Sequence, residues 1–499
     1  MPKRLKRFLP PLFVMAAMLT LTLMIVHAAN RSRLIPGMGQ TDPAPAPAAF
    51  TTVVGDSLPF NGSNGLTDIC PNIDSSGHTV VPEDISAGCA NNGFPEPPGD
   101  SFFLDKSIFE KQDRDFDGLG PIYNEKSCVN CHQGTVSGGW SHTAELRAGA
   151  TINGTFVNPT VTINYGLNQI TGRSLINALA ICSDAEEVTP DQIASNGQVV
   201  TPTTTQRISL PILGDGFVEA IADSTLLGIQ QQQCLSTTNT HICGEAIQVQ
   251  ILESPNQATF AVGRFGWKDE HASLLSFASD AYLNEMGVTN RLPPNNQEVT
   301  RVCEVTPANQ IEDQPDNLGL ADIDHFAVFM RGLQAPPPED QEDIINSGQG
   351  ASIARGQALF QVIGNGNGIG CANCHVPQIV TAPAGTNQGG LTPIPDALGN
   401  RVINPYSDFL LHNINTGDGI VQTPVGPQGQ SYQDTAMKIR TAPLWGLHTR
   451  SRFLHNGMAY TLRQAIMAHG APEGDVVLRN FLALTPGQQQ DLINFLNSL

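Results

Sequence analysis

The first apolar run in the chain is Phe8 to Val26, which is uncharged and follows Lys3, Arg4, Lys6 and Arg7. A basic start, an apolar stretch and the small-residue site Val26-His27-Ala28 predict an export signal over residues 1–28, cleaved after Ala28. Pro10 and Pro11 shorten the usable helix to Leu12–Val26, which is short for a membrane span. Cleavage is therefore favoured over anchoring. No later apolar run is long enough to cross a bilayer, so no stable membrane insertion is expected after cleavage. Residues 29–104 read as a Pro/Ala linker, from Asp42-Pro-Ala-Pro-Ala-Pro, followed by a polar, loop-rich extension. A short helix is expected around Asp105–Lys111. Ala150–Tyr165 alternates apolar and polar residues around Asn153-Gly154, which predicts a hairpin. Ile247–Leu252 and Thr259–Phe265 also read as strands. Ala335-Pro-Pro-Pro-Glu-Asp340 marks a boundary between segments 105–340 and 341–499. Ile353–Val362 reads as a helix. The last helix starts at Thr485-Pro486 and carries Leu492, Ile493, Phe495 and Leu496 on one side.

Composition narrows the function classes. The chain has 499 residues, with 26 Lys and Arg against 46 Asp and Glu, for a formal charge of −20. Loss of the four basic residues of the signal takes that charge from −20 to −24. Such a surface argues against nucleic-acid binding, which needs a basic face for phosphates. It suits local steering of a basic electron-donor protein. The 48 Gly and 36 Pro indicate a loop-rich globular chain, and 40% hydrophobic residues suffice for a core.

The ten cysteines fall into two groups. Cys128-Val129-Asn130-Cys131-His132 and Cys371-Ala372-Asn373-Cys374-His375 are both C-x-x-C-H, the attachment motif of c-type haem. Two thiols one turn apart add to the two vinyl groups of one haem. The following His then lies under the iron as its proximal ligand. A thioredoxin-like dithiol, a zinc knuckle or a disulfide would each leave His132 and His375 unexplained. Two covalent haem c groups are therefore expected, which agrees with export. The other six are Cys70, Cys89, Cys182, Cys234, Cys243 and Cys303, and in an oxidising compartment they read as disulfides. Six cysteines allow 15 pairings. Sequence proximity suggests Cys70–Cys89 and Cys234–Cys243, leaving Cys182 with Cys303.

Around these motifs the chain resembles a known family. Arg440-Thr-Ala-Pro-Leu-Trp445-Gly, Phe453-Leu-His455-Asn-Gly457 and Thr461-Leu462 resemble the C-terminal haem domain of bacterial di-haem cytochrome c peroxidases. Closer still is the related di-haem oxidoreductase family, whose members often carry the label of thiol oxidoreductases. Gly263-Arg-Phe-Gly-Trp267-Lys, Asn284-Glu285-Met286-Gly287 and Gly118-Leu-Gly-Pro-Ile-Tyr-Asn124 match in the same order, covering about residues 105–499. The first 100 residues lie outside the resemblance. It implies a mainly α fold with two cytochrome-c-like haem domains. The first, at 105–340, has β-hairpin insertions and a reaction haem; the second, at 341–499, has an electron-relay haem.

The resemblance also assigns roles. Trp267 matches the tryptophan between the haems, where an indole can act as a stepping stone for electrons; a core Trp beside a Gly-rich turn is the plainer alternative. Glu285 matches the distal acid–base residue: peroxide must lose a proton to bind iron, and the departing oxygen must gain one. The peroxidases carry a distal Gln upstream of this Glu, and this chain has Leu275, Ser276 and Phe277 there. His469 falls in register with the methionine that ligates the second haem in the peroxidases. An imidazole there predicts His375/His469 ligation and a lower potential, with Met467 as the competing ligand. Arg440 and His455 are expected to line the second haem's pocket, Arg440 being suited to propionates. Asn456 replaces the family's usual Asp. His142 is a weaker candidate for the sixth position of the first haem. Asp113-Arg-Asp115-Phe-Asp117-Gly118 resembles the start of an EF-hand loop, with Asn124 where the bidentate Glu would be, so calcium is a minor expectation.

The expected activity is reduction of hydrogen peroxide at the first haem, with electrons relayed through the second. The electron donor would be a small cytochrome or a cupredoxin, and the location periplasmic or otherwise exported. Two other readings remain open: a haem-dependent oxygenase using O₂ on a hydrophobic substrate, and a non-enzymatic di-haem electron carrier.

Overall fold

In the computed structural model the described residues are 91–336 and 348–499, with the two-residue strands Asn72–Ile73 and Thr79–Val80. Short segments at 135, 164–167, 172, 189–190, 196, 236–240, 256–257, 298–301, 304–305, 308–309, 364, 422–425 and 428–430 fall outside that description. The expected signal, the Pro/Ala linker and the Cys70–Cys89 pair lie outside the described residues. Among the described residues, no helix is long and apolar enough to cross a membrane.

Helices α1 (Phe102–Glu110) and α2 (Cys128–Cys131) flank the loop that leads into the first C-x-x-C-H. Then come α3 (Asp215–Glu219), α4 (Asp223–Leu235), α5 (Leu274–Met286) and α6 (Asp322–Gly332). The C-terminal segment adds α7 (Gly350–Phe360), α8 (Leu462–Met467), α9 (Asp475–Ala483) and α10 (Pro486–Asn497). The boundaries follow local chemistry. Ser101 caps α1 by accepting from the Leu104 N–H, and Ser273 caps α5 by accepting from Ser276. Thr485, Pro486 and Gln488 form a capping box with proline at the first turn of α10.

Each C-x-x-C-H is embraced by a leading and a closing helix. Around the first, α1 packs on α6 through Phe102 and Phe109 against Phe326 and Phe329. Around the second, α7 packs on α10, where Arg355 and Ser352 both bond Asp491. Gly356 makes that approach feasible: a Cβ there would lie 2.0 Å from the Asp491 carbonyl oxygen. Leu492, Ile493, Phe495 and Leu496 are all buried in this second core, as their spacing predicts. The larger core joins α1, α3, α5 and α6, and takes in Ile379, Leu398, Phe409 and Trp445 from beyond residue 340.

Helix outweighs strand, 31% against 15%, so helices combine with several small sheets. The longest strand, Ala144–Ile152, pairs antiparallel with Thr203–Ile208 in the register Ala144↔Ile208 and Gly149↔Thr203. It also pairs with Leu175–Ile176, and turns at Asn153-Gly154 into Thr155–Val157. Both turn residues have positive φ, 51° and 80°, as a tight hairpin turn demands. The hairpin therefore forms where expected, but its first strand starts earlier, at Ala144. Pro159 separates Thr155–Val157 from Thr160–Ile163, because proline gives no ladder donor. Gln248–Gln250 and Phe260–Val262 pair as short strands within the expected segments. Cys182 and Cys303 approach to 6.5 Å between Cα atoms, and Cys234 and Cys243 to 4.5 Å, both within bridging distance.

Candidate functional site

In both motifs the histidine N–H donates to the carbonyl of the first cysteine, at 3.1 Å for His132→Cys128 and 3.0 Å for His375→Cys371. One turn thus presents two thiols and an imidazole together. Each set opens into its own cavity.

The first cavity measures about 550 Å³ and is lined by Cys128, Cys131 and His132. Burial drives the His132 pKa down to about 4, so its imidazole is neutral. Its Nδ1 is buried with no hydrogen-bond partner. Glu285, from the last turn of α5, lines the same cavity. That turn is fixed by Gly287, whose positive φ of 78° ends the helix, and by the Asn124 N–H donating to the Glu285 carbonyl at 2.7 Å. The Asn124 side-chain amide donates to Glu285 Oε2 at 2.6 Å.

Glu285 has a second partner that its own sequence neighbourhood does not reveal. Glu145, on the long strand, hydrogen-bonds the Glu285 carboxyl. Arg147, two residues on, bonds Glu145 through Nε at 2.7 Å and Nη2 at 3.1 Å. Burial, then the Glu145 charge, push Glu285 up to about 8. Arg147 holds Glu145 below the usual carboxylate range against its own burial. One carboxyl of the pair therefore keeps a proton at neutral pH while the other stays ionised, the signature of an acid–base pair. The sequence signal for Glu145 was its spacing from Arg147: residues i and i+2 on a strand share a face.

The place of the missing distal Gln is taken by packing. Phe277 stacks on Phe265 with centroids 6.0 Å apart and planes 11° apart, and both line the first cavity. Ser276 turns away to bond Glu253 at 2.6 Å. His271, also lining this cavity, pairs with Asp280 at 3.3 Å. His142 is exposed and packs edge-on against Trp140 at 4.3 Å. It is not part of the cavity lining, so the structure does not bring it to the sixth position.

The second cavity, about 210 Å³, is lined by Cys371, Cys374, His375 and His469, with Arg440 and His455. The His375 and His469 rings lie 6.4 Å apart between centroids. Two imidazoles sharing one metal through bonds of about 2.0 Å, with about 1.1 Å from each ring centre to its nitrogen, need roughly 6.2 Å. Each Nδ1 donates to a backbone carbonyl, His375 to Tyr406 at 3.0 Å and His469 to Ala465 at 2.8 Å. That fixes the tautomer and leaves both Nε2 atoms as ligands. Met467, the rival, is 36% exposed and is not part of the cavity lining. The donor set thus fits a haem held by two imidazoles.

Trp267 lines both cavities, as does Arg440. The indole N–H donates to the Ile208 carbonyl at 2.7 Å, and the ring meets His455 edge-on at 6.0 Å. Arg440 donates through Nε to the Gly266 carbonyl at 2.7 Å. His455 is buried, 4.0 Å from Asp418, and burial takes its pKa down to about 4. Asp418 is held near 2, against its burial, by Arg207 at 2.9 Å and Lys268 at 3.2 Å.

The Asp113–Gly118 loop does not gather its carboxylates. Asp113 is buried and bonded by Tyr282 and Lys111, whereas Asp117 pairs with Arg114 on the surface side. Asp115–Asp117 forms a 3₁₀ turn, and these carboxylates are not among the converging ligand groups of the described residues.

Sequence comparison decides the family. The family described as "Di-haem oxidoreductase, putative peroxidase" matches residues 182–310 and 339–499, more than half of the chain. The chain belongs to the di-haem oxidoreductase family. The matched segments of this di-haem oxidoreductase hold Trp267, Glu285, the second C-x-x-C-H, Arg440, His455 and His469. The first C-x-x-C-H precedes them. No curated protein matches the chain. Among solved structures, a MauG-like protein associated with microbial copper homeostasis aligns at 18% identity, TM-score 0.22. It covers 36% of this chain and 52% of that one, so the match spans about half of that protein's length. Hydrazine synthase of Kuenenia stuttgartiensis, pressurised with xenon, aligns at 13% identity and TM-score 0.31, covering 85% of this chain and all of that one.

Proposed function

We propose that this chain is an exported di-haem c oxidoreductase that reduces hydrogen peroxide in the first cavity, using electrons delivered through the second. The observation that carries this reading is the Glu145–Glu285 pair in the cavity of Cys128, Cys131 and His132. Cys128, Cys131 and His132 would hold a haem there, which would supply the redox chemistry of peroxide reduction. The chain's own residues manage the protons. Glu145, kept ionised by Arg147, and Glu285, kept protonated by burial, hold one proton between them. Such a pair takes a proton from the incoming peroxide and returns one to the departing oxygen. Asn124 orients Glu285 toward this task.

The second site works by being closed. His375 and His469 would both hold the second haem, an arrangement that would suit electron relay rather than reaction with peroxide. Two imidazoles also set a lower potential than a His/Met pair. Trp267 places an aromatic ring on the wall of both cavities, and Arg440 and His455 complete the second pocket. The acidic mature surface favours a basic small cytochrome or cupredoxin as donor.

The Phe265–Phe277 wall supports a second reading, oxygenation of a hydrophobic substrate with O₂. One experiment separates the two. Purified holoprotein with a reduced donor is given peroxide in one arm and O₂ in the other. Peroxide consumption that fails in Glu285→Gln supports the peroxidase reading. No peroxide consumption, with or without O₂ uptake, overturns it.

A further inference from the structure

A second buried acidic group lies outside both cavities, where the segment Asn91–Asp105 meets the start of α6. His325 on α6 is fully buried, and its Nδ1 lies 2.6 Å from Asp105 Oδ1 and 3.6 Å from Asp100 Oδ2. Its other nitrogen, Nε2, faces Asp316 Oδ2 at 3.5 Å. Glu96 brings a further carboxylate into hydrogen-bond contact with Asp105. The Asp100, Asp105 and His325 donor atoms all lie within 4.8 Å of one another.

The polar atoms here are not satisfied by protein. Glu96 Oε2, Asp100 Oδ2 and Asp105 Oδ2 are buried without a hydrogen-bond partner, and His325 Nε2 has only Asp316 Oδ2, at 3.5 Å. Asp100, Asp105 and His325 side chains have no accessible surface. Among the described residues, no Lys or Arg pairs with Glu96, Asp100 or Asp105; their one basic neighbour is His325. Buried carboxylate oxygens without donors are costly, and converging ones repel. A shared proton accounts for the contact between Glu96 and Asp105, and Glu96 is indeed pushed up to about 7. Neither that proton nor the His325 ring, which bonds Asp105 at 2.6 Å, supplies a donor to Asp100 Oδ2, 3.6 Å from the ring. A cation accounts for that oxygen.

We propose that His325, Asp105 and Asp100 bind a divalent first-row transition ion, with zinc as the type case. One imidazole among carboxylates suits this class, whereas calcium favours an all-oxygen set. Asp316 orients the ring through the nitrogen opposite the ligating one, a common arrangement behind metal-bound histidine. Uptake displaces the proton shared by His325 and Asp105. The ion would staple the 91–105 segment to α6, where Asn92 already bonds the Arg331 and Leu333 carbonyls. That brace stands behind Phe109, Phe326 and Met330, which line the first cavity.

The test uses the holoprotein with both haems attached, treated with chelator and desalted. Zinc chloride is titrated by calorimetry, and bound metal is counted by mass spectrometry. One equivalent of zinc, proton release on binding and a raised melting temperature are expected. Asp100→Asn and His325→Gln should each weaken zinc binding at least tenfold, and Asp316→Asn by roughly 10- to 100-fold. Asp115→Asn, in an exposed loop, should leave it unchanged. If His325→Gln does not fold, Asp100→Asn carries the same comparison from the start of α1. Absence of stoichiometric zinc, calcium uptake in its place, or unchanged affinity in Asp100→Asn would overturn the proposal.

Discussion

The two C-x-x-C-H regions start from the same local turn and end in cavities with different linings. At the second, α8 and the residues just after it swing His469 to face His375 at 6.4 Å, and each ring is pinned by a carbonyl. At the first, the other histidine of the lining, His271, is paired with Asp280 at 3.3 Å. A strand and a helix instead bring Glu145 and Glu285 together beside Arg147. The first cavity is also the larger, about 550 Å³ against 210 Å³. Motif spacing dictates attachment, which both regions share. On the proposed reading, what opposes the proximal histidine decides whether a haem reacts or relays, and that is set by distant elements.

The largest expected effect breaks the first region alone. Glu285→Gln should lower kcat/KM for peroxide by roughly 10²- to 10⁴-fold, the usual worth of a general acid–base group. Steady-state assay with a reduced donor checks this, and the second haem's spectrum should not change. His469→Met breaks the second region. It should raise that haem's potential by on the order of 0.1 V, within the about 0.8 V span axial ligands cover, read by spectroelectrochemistry. Gly356→Ala should loosen the α7–α10 crossing, since its Cβ meets the Asp491 carbonyl at 2.0 Å. A loss of about 1–3 kcal/mol is expected from such overpacking, measured by denaturant unfolding.

The smallest effect sharpens the acid–base pair. Glu285 is raised from 4.5 to about 8, so its proton is held through neutrality and lost as pH climbs through 8. Activity that needs this proton should fall above about pH 8. Stability from the same group is full below pH 4.5 and declines as pH rises toward 8. Glu145→Gln removes a neighbouring negative charge and should move the alkaline limb down by about one unit, seen in the pH profile of kcat/KM.

The haem motifs were legible because covalent chemistry fixes their spacing within five residues. His469 was expected from register alone; in the structure its ring lies 6.4 Å from His375, aimed by the Ala465 carbonyl, and Met467 faces outward. The hairpin turn was legible from Asn153-Gly154, but its strand's reach back to Ala144 was not, because pairing with Thr203–Ile208 supplies that order from afar. For the same reason the Glu145–Glu285 contact was hidden. Each residue's neighbours say strand or helix, and only the tertiary fold joins them. At the three aspartates before Gly118, a calcium-like pattern folded into a 3₁₀ turn, and its carboxylates are not among the converging ligand groups of the described residues. The acidic group around His325 went unread because Glu96, Asp100 and Asp105 are spaced irregularly in a Pro- and Gly-rich stretch and their histidine lies on a distant helix.

The proposed contrast between an open first haem and a closed second one is tested most directly by ligand titration. The oxidised holoprotein is titrated with cyanide while low-spin and high-spin haem signals are followed by electron paramagnetic resonance. The account predicts that one haem per chain takes up cyanide, and that the low-spin signal of the two-imidazole haem is untouched. It also predicts that His469→Ala makes the second haem reactive. Uptake by both haems or by neither in the unaltered protein would contradict it.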